Sequence, residues 1–257
     1  MHLAQTEYPP EDADDDLAPL VVVPGLFGSA RNWRAHAKRL GPGRHVIAVD
    51  MRNHGSSGWN DVHDYPAMAG DLAELIEGIG GHAAVLGHSM GGKAAMLLAQ
   101  TRPDLVERLI VADIAPIAYD HDLLGEIDAM LATDLTGLTR RSEVEAALGA
   151  HIAIPAVRSF LAQSAILDDT PRWSLNLKAL SANMDLITGY PDEQRSYPGQ
   201  TMFLSGAASD YVLPEHHDLI VQRFPNARFE VLEGAGHWLH ADKPREFLDA
   251  ANGFLSD

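Results

Sequence analysis

Short unbroken apolar runs alternate with amphipathic stretches along much of the chain. Leu20-Val21-Val22-Val23, the run from His45 to Asp50, Ala83 to Gly87 and Leu109 to Asp113 each read as a buried strand. Between them lie helical patterns. One runs through Trp33 and His36 to Leu40 and breaks at Gly41-Pro42-Gly43. A second runs from Pro66 to Ile79, with apolar residues at Met68, Leu72, Leu75, Ile76 and Ile79, and a third reaches Thr101. From residue 115 to 197 the alternation stops. Patterns there are helical (Leu123 to Leu131, Ser142 to Ala150, Ala156 to Leu167, Ser174 to Ile187) and prolines separate them. Strand logic resumes at Thr201–Gly206, then a helix over Pro214–Phe224, a strand over Ala227–Leu232 and a helix over Pro244–Leu255. Strand and helix alternating at this spacing predict a parallel sheet covered on both faces. The expected organisation is an acidic N-terminal tail over 1–18, an α/β core over 19–114 and 198–257, and a helical cap over 115–197.

The third strand signal ends in Gly87-His88-Ser89-Met90-Gly91, and an Ala-, Met- and Leu-rich helix pattern follows. A serine between two glycines at a strand-to-helix turn is the arrangement that exposes a nucleophilic hydroxyl above a sheet edge. The helix that follows directs its positive end to the place where an oxyanion forms. Gly87 to Lys93 also fits the start of a phosphate-cradling loop. That loop needs Ser or Thr next for magnesium, and Ala94 stands there.

A serine needs a base, and the base needs an orienting acid. Among thirteen histidines, His237 follows the last strand within Gly234-Ala235-Gly236-His237-Trp238, where a loop can bend back over Ser89. His240 is its rival. Asp113, ending the strand after the serine's strand, and Asp210, in the loop after Phe203-Leu204, are the candidate acids. Both lie at the carboxyl edge of the sheet, where open α/β sheets bind ligands. Asp50 precedes the serine and is expected to tie down the Met51–Gly58 loop. Two backbone amides should form the oxyanion hole: Met90 after the nucleophile, and Leu26 in the turn after the first strand, with Phe27 close by.

Composition narrows the remaining options. The formal charge is −17, with four lysines against fifteen arginines, so a nucleic-acid partner is not expected. No cysteine is present, and neither His216-His217 nor the other histidines have the spacing of a zinc site, so no metal is expected. Gly25-x-x-Gly28 lacks the dinucleotide pattern, and no cofactor is expected. Without a membrane-length apolar run or a signal-peptide pattern, no membrane insertion and a cytoplasmic location are expected.

The motifs Gly25-Leu26-Phe27-Gly28-Ser29, Asp50-Met51-Arg52-Asn53-His54-Gly55-Ser56-Ser57, Gly87–Lys93, Asp113-Ile114-Ala115-Pro116 and Gly234–Ala241 resemble the α/β-hydrolase superfamily. More narrowly, they are similar to the small YbfF-type bacterial esterases and their mitochondrial relatives. The resemblance implies the α/β-hydrolase fold, a mostly parallel central sheet with helices on both faces and a helical cap insertion. It also bears on the acid. In most of the superfamily the acid lies three residues beyond a glycine after the penultimate strand; here that slot is Ser209. The YbfF-like branch also has serine there, which favours Asp113 as acid, with Ser209 in support. One departure is Pro24, where relatives usually carry a histidine. The implied function is a serine carboxylesterase acting on short- to medium-chain acyl esters through an acyl-enzyme. Acyl-CoA thioesterase, lactonase and a non-catalytic binding protein are the alternatives. Phe27, Leu124, Met130, Phe160, Trp173 and Trp238 are the candidate substrate-binding residues, with packing of the cap onto the sheet as the alternative role for Leu124, Met130, Phe160 and Trp173, and Arg140, Arg141, Arg158 and Arg172 are a candidate clamp for CoA phosphates.

Overall fold

The computed structural model describes residues 1–10, 12, 16–120 and 122–256. Seven strands form one sheet: β1 (Gln5–Tyr8), β2 (Leu20–Val23), β3 (Val46–Val49), β4 (Ala83–His88) and β5 (Val106–Ala112), then β8 (Gln200–Gly206) and β9 (Ala227–Leu232). Two further strands, β6 (Ala165–Ile166) and β7 (Arg172–Trp173), make a separate antiparallel ribbon. The sheet order is β1-β3-β2-β4-β5-β8-β9, with β1 antiparallel to β3 and the other neighbours parallel.

The strand residues alternate between two cores because successive side chains point to opposite faces. Val21, Val23, Ile47, Val49, Val85, Leu109 and Val111 pack on one face with α2 (Tyr65–Gly78) and α3 (Met90–Thr101). Leu20, Val22, Val46, Ala48, Leu86 and Ile110 face the other way. They meet Trp33, Ala37 and Leu40, around the short α1 (Arg34–Ala37), and the apolar face of the C-terminal helix over Pro244–Ser256. Both faces of β2, β3 and β4 are therefore buried, which explains their continuous apolar runs. The Asp64 carboxylate caps α2 by accepting the Ala67 N–H at 2.8 Å.

The N-terminal segment departs from the expected tail. Gln5–Tyr8 pairs with Val46–Val49 as an edge strand, and Leu3 is buried. Its polar sequence is that of an edge whose side chains face water. Of the acidic cluster expected there, Glu11, Ala13, Asp14 and Asp15 lie outside the described residues.

Between β5 and β8 come α4 (Leu124–Ala132), α5 (Arg141–Leu148), α6 (Pro155–Ala162), α7 (Leu177–Ala182) and α8 (Met184–Thr188). The expected helix from Ala156 to Leu167 ends five residues early, where Ala165–Ile166 pairs with Arg172–Trp173. Lys93, buried on α3, ties the end of this region down. Its Nζ donates to the Thr188 carbonyl at 2.8 Å and the Gly189 carbonyl at 2.6 Å, and it lies 4.7 Å from the Tyr119 ring centroid. Burial pulls its pKa down to about 7. After β8 follow α9 (His217–Arg223), α10 (Leu239–Asp242) and α11 (Pro244–Ser256). No helix among the described residues is long and apolar enough to cross a membrane.

Candidate active site

Ser89 joins β4 to α3 with φ 52 and ψ −121, outside the helical and extended regions. The flanking glycines make this turn sterically feasible. A Cβ on Gly87 would lie 2.4 Å from the Gly91 carbonyl oxygen, and one on Gly91 would lie 2.4 Å from the carbonyl oxygens of Val23 and Pro24. Among the described residues, the non-glycine positions with positive φ are Phe27, Asn53, Ser89 and Asp113. Strain of this kind costs roughly 1–3 kcal/mol per residue and persists only where the surroundings hold it. All four sit at one edge of the sheet.

Asp113 follows β5 and is fully buried. Its amide donates to the Leu204 carbonyl at 2.9 Å. One carboxylate oxygen, Oδ1, accepts the Gly206 N–H at 3.0 Å. The other, Oδ2, accepts His237 Nδ1–H at 2.7 Å and the Ser209 hydroxyl. Because a carboxylate only accepts, Nδ1 carries the proton and Nε2 keeps its lone pair. Tyr211 stacks on the imidazole at 4.0 Å between centroids, and His88 lies behind it at 4.8 Å. His88 donates from Nε2 to the His237 carbonyl at 2.9 Å, and burial holds its pKa at about 3. Among the described residues Asp113 is the carboxylate bonded to His237, while Asp210 is exposed. His240, the rival base, stacks on Trp33 at 4.5 Å, and burial pushes its pKa well down.

The turn after β2 is braced from the Asp50–Ser57 loop. Buried His54 donates from Nδ1 to the Arg52 carbonyl at 2.8 Å and accepts the Phe27 N–H on Nε2 at 3.1 Å. A carbonyl on one side and an amide on the other fix the neutral tautomer, and burial lowers the pKa to about 4. Asp50 adds two bonds, from Ala30 N–H and Ser56 N–H, each at 2.8 Å. It ties down its own loop as expected and holds the turn as well. The Phe27 amide is thus engaged by His54, and Leu26 beside it lines the same cavity as Ser89. Met90 N–H is the first amide of α3, where helical bonding supplies no acceptor.

Ser89 and His237 line one cavity of about 490 Å³. Three of the candidate substrate-binding residues line it too: Phe27, Phe160 and Trp238. Leu124, Met130 and Trp173 do not. Leu123 and Glu126 present the cavity-facing side of α4, whereas Ile127 and Met130 are buried in the core. Leu124 packs at the margin of the same core, and Trp173 donates its indole N–H to the Met130 carbonyl at 2.9 Å. The proposed arginine clamp is not assembled. Arg140 pairs with Glu143 and Arg172 with Asp168, while Arg141 donates to the Ala162 carbonyl and Arg158 to the Ile152 carbonyl. None of the four lines the cavity. Among the described residues no group of three or more His, Asp or Glu is placed to hold a metal ion.

The model of the alpha/beta hydrolase family matches residues 20–250. The chain belongs to this family. It is 39% identical over 255 residues to the mouse sn-1-specific diacylglycerol lipase ABHD11, covering 95% of this chain and 83% of the relative. To the esterase YbfF of Escherichia coli K12 it is 36% identical over 245 residues, covering 93% and 94%. A solved marine microorganism esterase superposes with a TM-score of 0.90 at 32% identity, over 99% of each chain.

Against this family background, His54 is the residue whose role was not read from the sequence. His54 braces the turn from the opposite loop. Its signal was present in the Asp50–Ser57 motif, but a glycine- and asparagine-rich loop does not reveal which of its side chains is buried. Trp33, His36 and Tyr211 also line the cavity without having been singled out as lining residues.

Proposed function

We propose that the chain is a serine carboxylesterase. Ser89 Oγ attacks the acyl carbon as His237 Nε2 takes its proton, while Asp113 orients the imidazole and balances the charge that forms on it. The Leu26 and Met90 amides hold the oxyanion of the tetrahedral intermediate. Its collapse expels the alcohol, which leaves with the proton from His237. Water, activated by the same imidazole, then releases the acid and regenerates Ser89.

The observation that carries this reading is the 2.7 Å bond between His237 Nδ1 and buried Asp113 at a cavity that Ser89 lines. That bond leaves Nε2 as an acceptor on the cavity side. The volume suits an acyl chain of short to medium length, within the usual range of small-molecule sites. Thioester hydrolysis of acyl-CoA uses the same chemistry but ranks second, because among the described residues no Lys or Arg lines the cavity to meet its phosphates. The test is hydrolysis of a chromogenic butyrate ester by wild type and Ser89→Ala. The expected loss in the variant exceeds a thousandfold, and equal rates would refute the proposal.

A further inference from the structure

The residues lining the cavity carry a one-sided charge. Among the described residues lysine and arginine are absent from its wall, and the formally charged members are Glu126 and Asp242. They differ in what they already do. Asp242 is exposed and spends Oδ2 on the Gly236 N–H at 2.8 Å, holding the segment that carries His237. Glu126 is half-buried on the cavity side of α4, beside Leu123.

Its electrostatic reach is also visible. Burial raises the pKa of the Tyr211 phenol, and the Asp113 and Glu126 carboxylates add to the rise. Tyr211 is the ring stacked on His237. The field of Glu126 therefore acts on the wall of the reacting centre. The same cavity is lined by the aromatic side chains of Trp33, Phe160, Tyr211 and Trp238, and an aromatic face open to a ligand attracts cations and not anions.

We propose that Glu126 reads the charge of the substrate, so that the cavity takes neutral and cationic esters and rejects anionic ones. The inference rests on the esterase reading and adds a substrate class to it. In a cavity of about 490 Å³, a bound charge lies on the order of 5–10 Å from Glu126. At that separation, with an effective dielectric of about 20 and allowance for solvent screening, the interaction changes relative rates roughly tenfold.

The test compares three butyrate esters: the choline ester, its uncharged carbon isostere 3,3-dimethylbutyl butyrate, and the ester of 4-hydroxybutanoate, which carries a carboxylate. Release of butyric acid is followed by pH-stat titration for wild type, Ser89→Ala, Glu126→Gln and Glu126→Lys. The readout is the cation-to-anion ratio of kcat/KM. Wild type is expected to favour the cation; Glu126→Gln lowers the ratio about tenfold, Glu126→Lys lowers it further, and raised salt shrinks the difference. A ratio that stays within twofold across wild type and both variants would overturn the inference while leaving the esterase reading intact. So would loss of neutral-ester hydrolysis in Glu126→Gln, which would make the residue part of the chemistry. Failure of wild type to hydrolyse the neutral ester faster than Ser89→Ala would overturn the esterase reading, and the inference with it.

Discussion

Three buried histidines around the site make folding sensitive to acid in a calculable way. His54, His63 and His88 have pKa values pulled down to about 4, 2 and 3, chiefly by burial. In the unfolded chain each takes up a proton near pH 6.5. The folded value lies below the unfolded one, so the stability each group contributes is full above pH 6.5. It is lost as the pH falls from there towards the folded pKa. At pH 4.5, about two units below the unfolded value, each histidine disfavours the folded state by about 2.5 kcal/mol. All three act in the same direction, against a total stability of only about 5–15 kcal/mol for a typical domain. His63 allows the share of one group to be isolated. Its Nδ1 meets Asn53 Nδ2 at 3.2 Å and its Nε2 meets Met90 Sδ at 3.4 Å, so a glutamine fits the site chemically without titrating. Urea unfolding followed by tryptophan fluorescence at pH 7.5, 6.5, 5.5 and 4.5 compares wild type with His63→Gln. Whatever the absolute stability of the variant, its loss between pH 7.5 and 4.5 should be smaller than that of wild type by about 2.5 kcal/mol. Parallel stability curves would refute the reasoning, because they would mean that His63 titrates alike in both states.

Three further substitutions probe the site. Asp113→Asn should lower kcat by about four orders of magnitude, because the amide no longer stabilises the imidazolium and favours the wrong tautomer. Asp210→Asn should change kcat less than twofold, and the reverse order in ester assays would move the acid to the later loop. His54→Ala should leave the Phe27 amide and the Arg52 carbonyl unpaired. At roughly 1–3 kcal/mol for each of the two orphaned groups, Tm should fall by about 4–24 °C, with kcat at least tenfold lower as the turn after β2 loosens. A Tm within 2 °C of wild type with unchanged kcat would remove His54 from the brace.

The parts of this molecule that could be read from sequence are those governed by local rules. Buried parallel strands are apolar on both faces, so Leu20–Val23 and Leu109–Ala112 announce themselves. The Gly87 to Gly91 turn is equally local, since the clash of a Cβ with the neighbouring backbone arises within the turn and its packing on β2. Strand ends and chain order singled out His237 but left Asp113 and Asp210 both open as its acid, and the family resemblance favoured Asp113, whose bond to His237 the fold supplies. What could not be read depends on orientation across elements. Leu123 and Leu124 are adjacent in the chain, yet of the two Leu123 lines the cavity, because the roll of α4 about its axis is set by packing against α7, a neighbour distant in sequence. Gln5–Tyr8 was missed because an exposed edge strand has no apolar pattern to show. His54 was quoted within a motif, but its partner Phe27 lies 27 residues earlier and is reached only through the fold.

The central claim, that Ser89 is activated by His237 and Asp113, is tested most directly by covalent trapping. A fluorophosphonate forms a bond from a reactive serine Oγ to phosphorus as fluoride leaves, and peptide mass spectrometry locates the adduct. The expected result is one adduct on the peptide containing Ser89, none in Ser89→Ala, and labelling at least a hundredfold slower in His237→Ala. An adduct elsewhere, with ester hydrolysis retained in Ser89→Ala, would contradict the account.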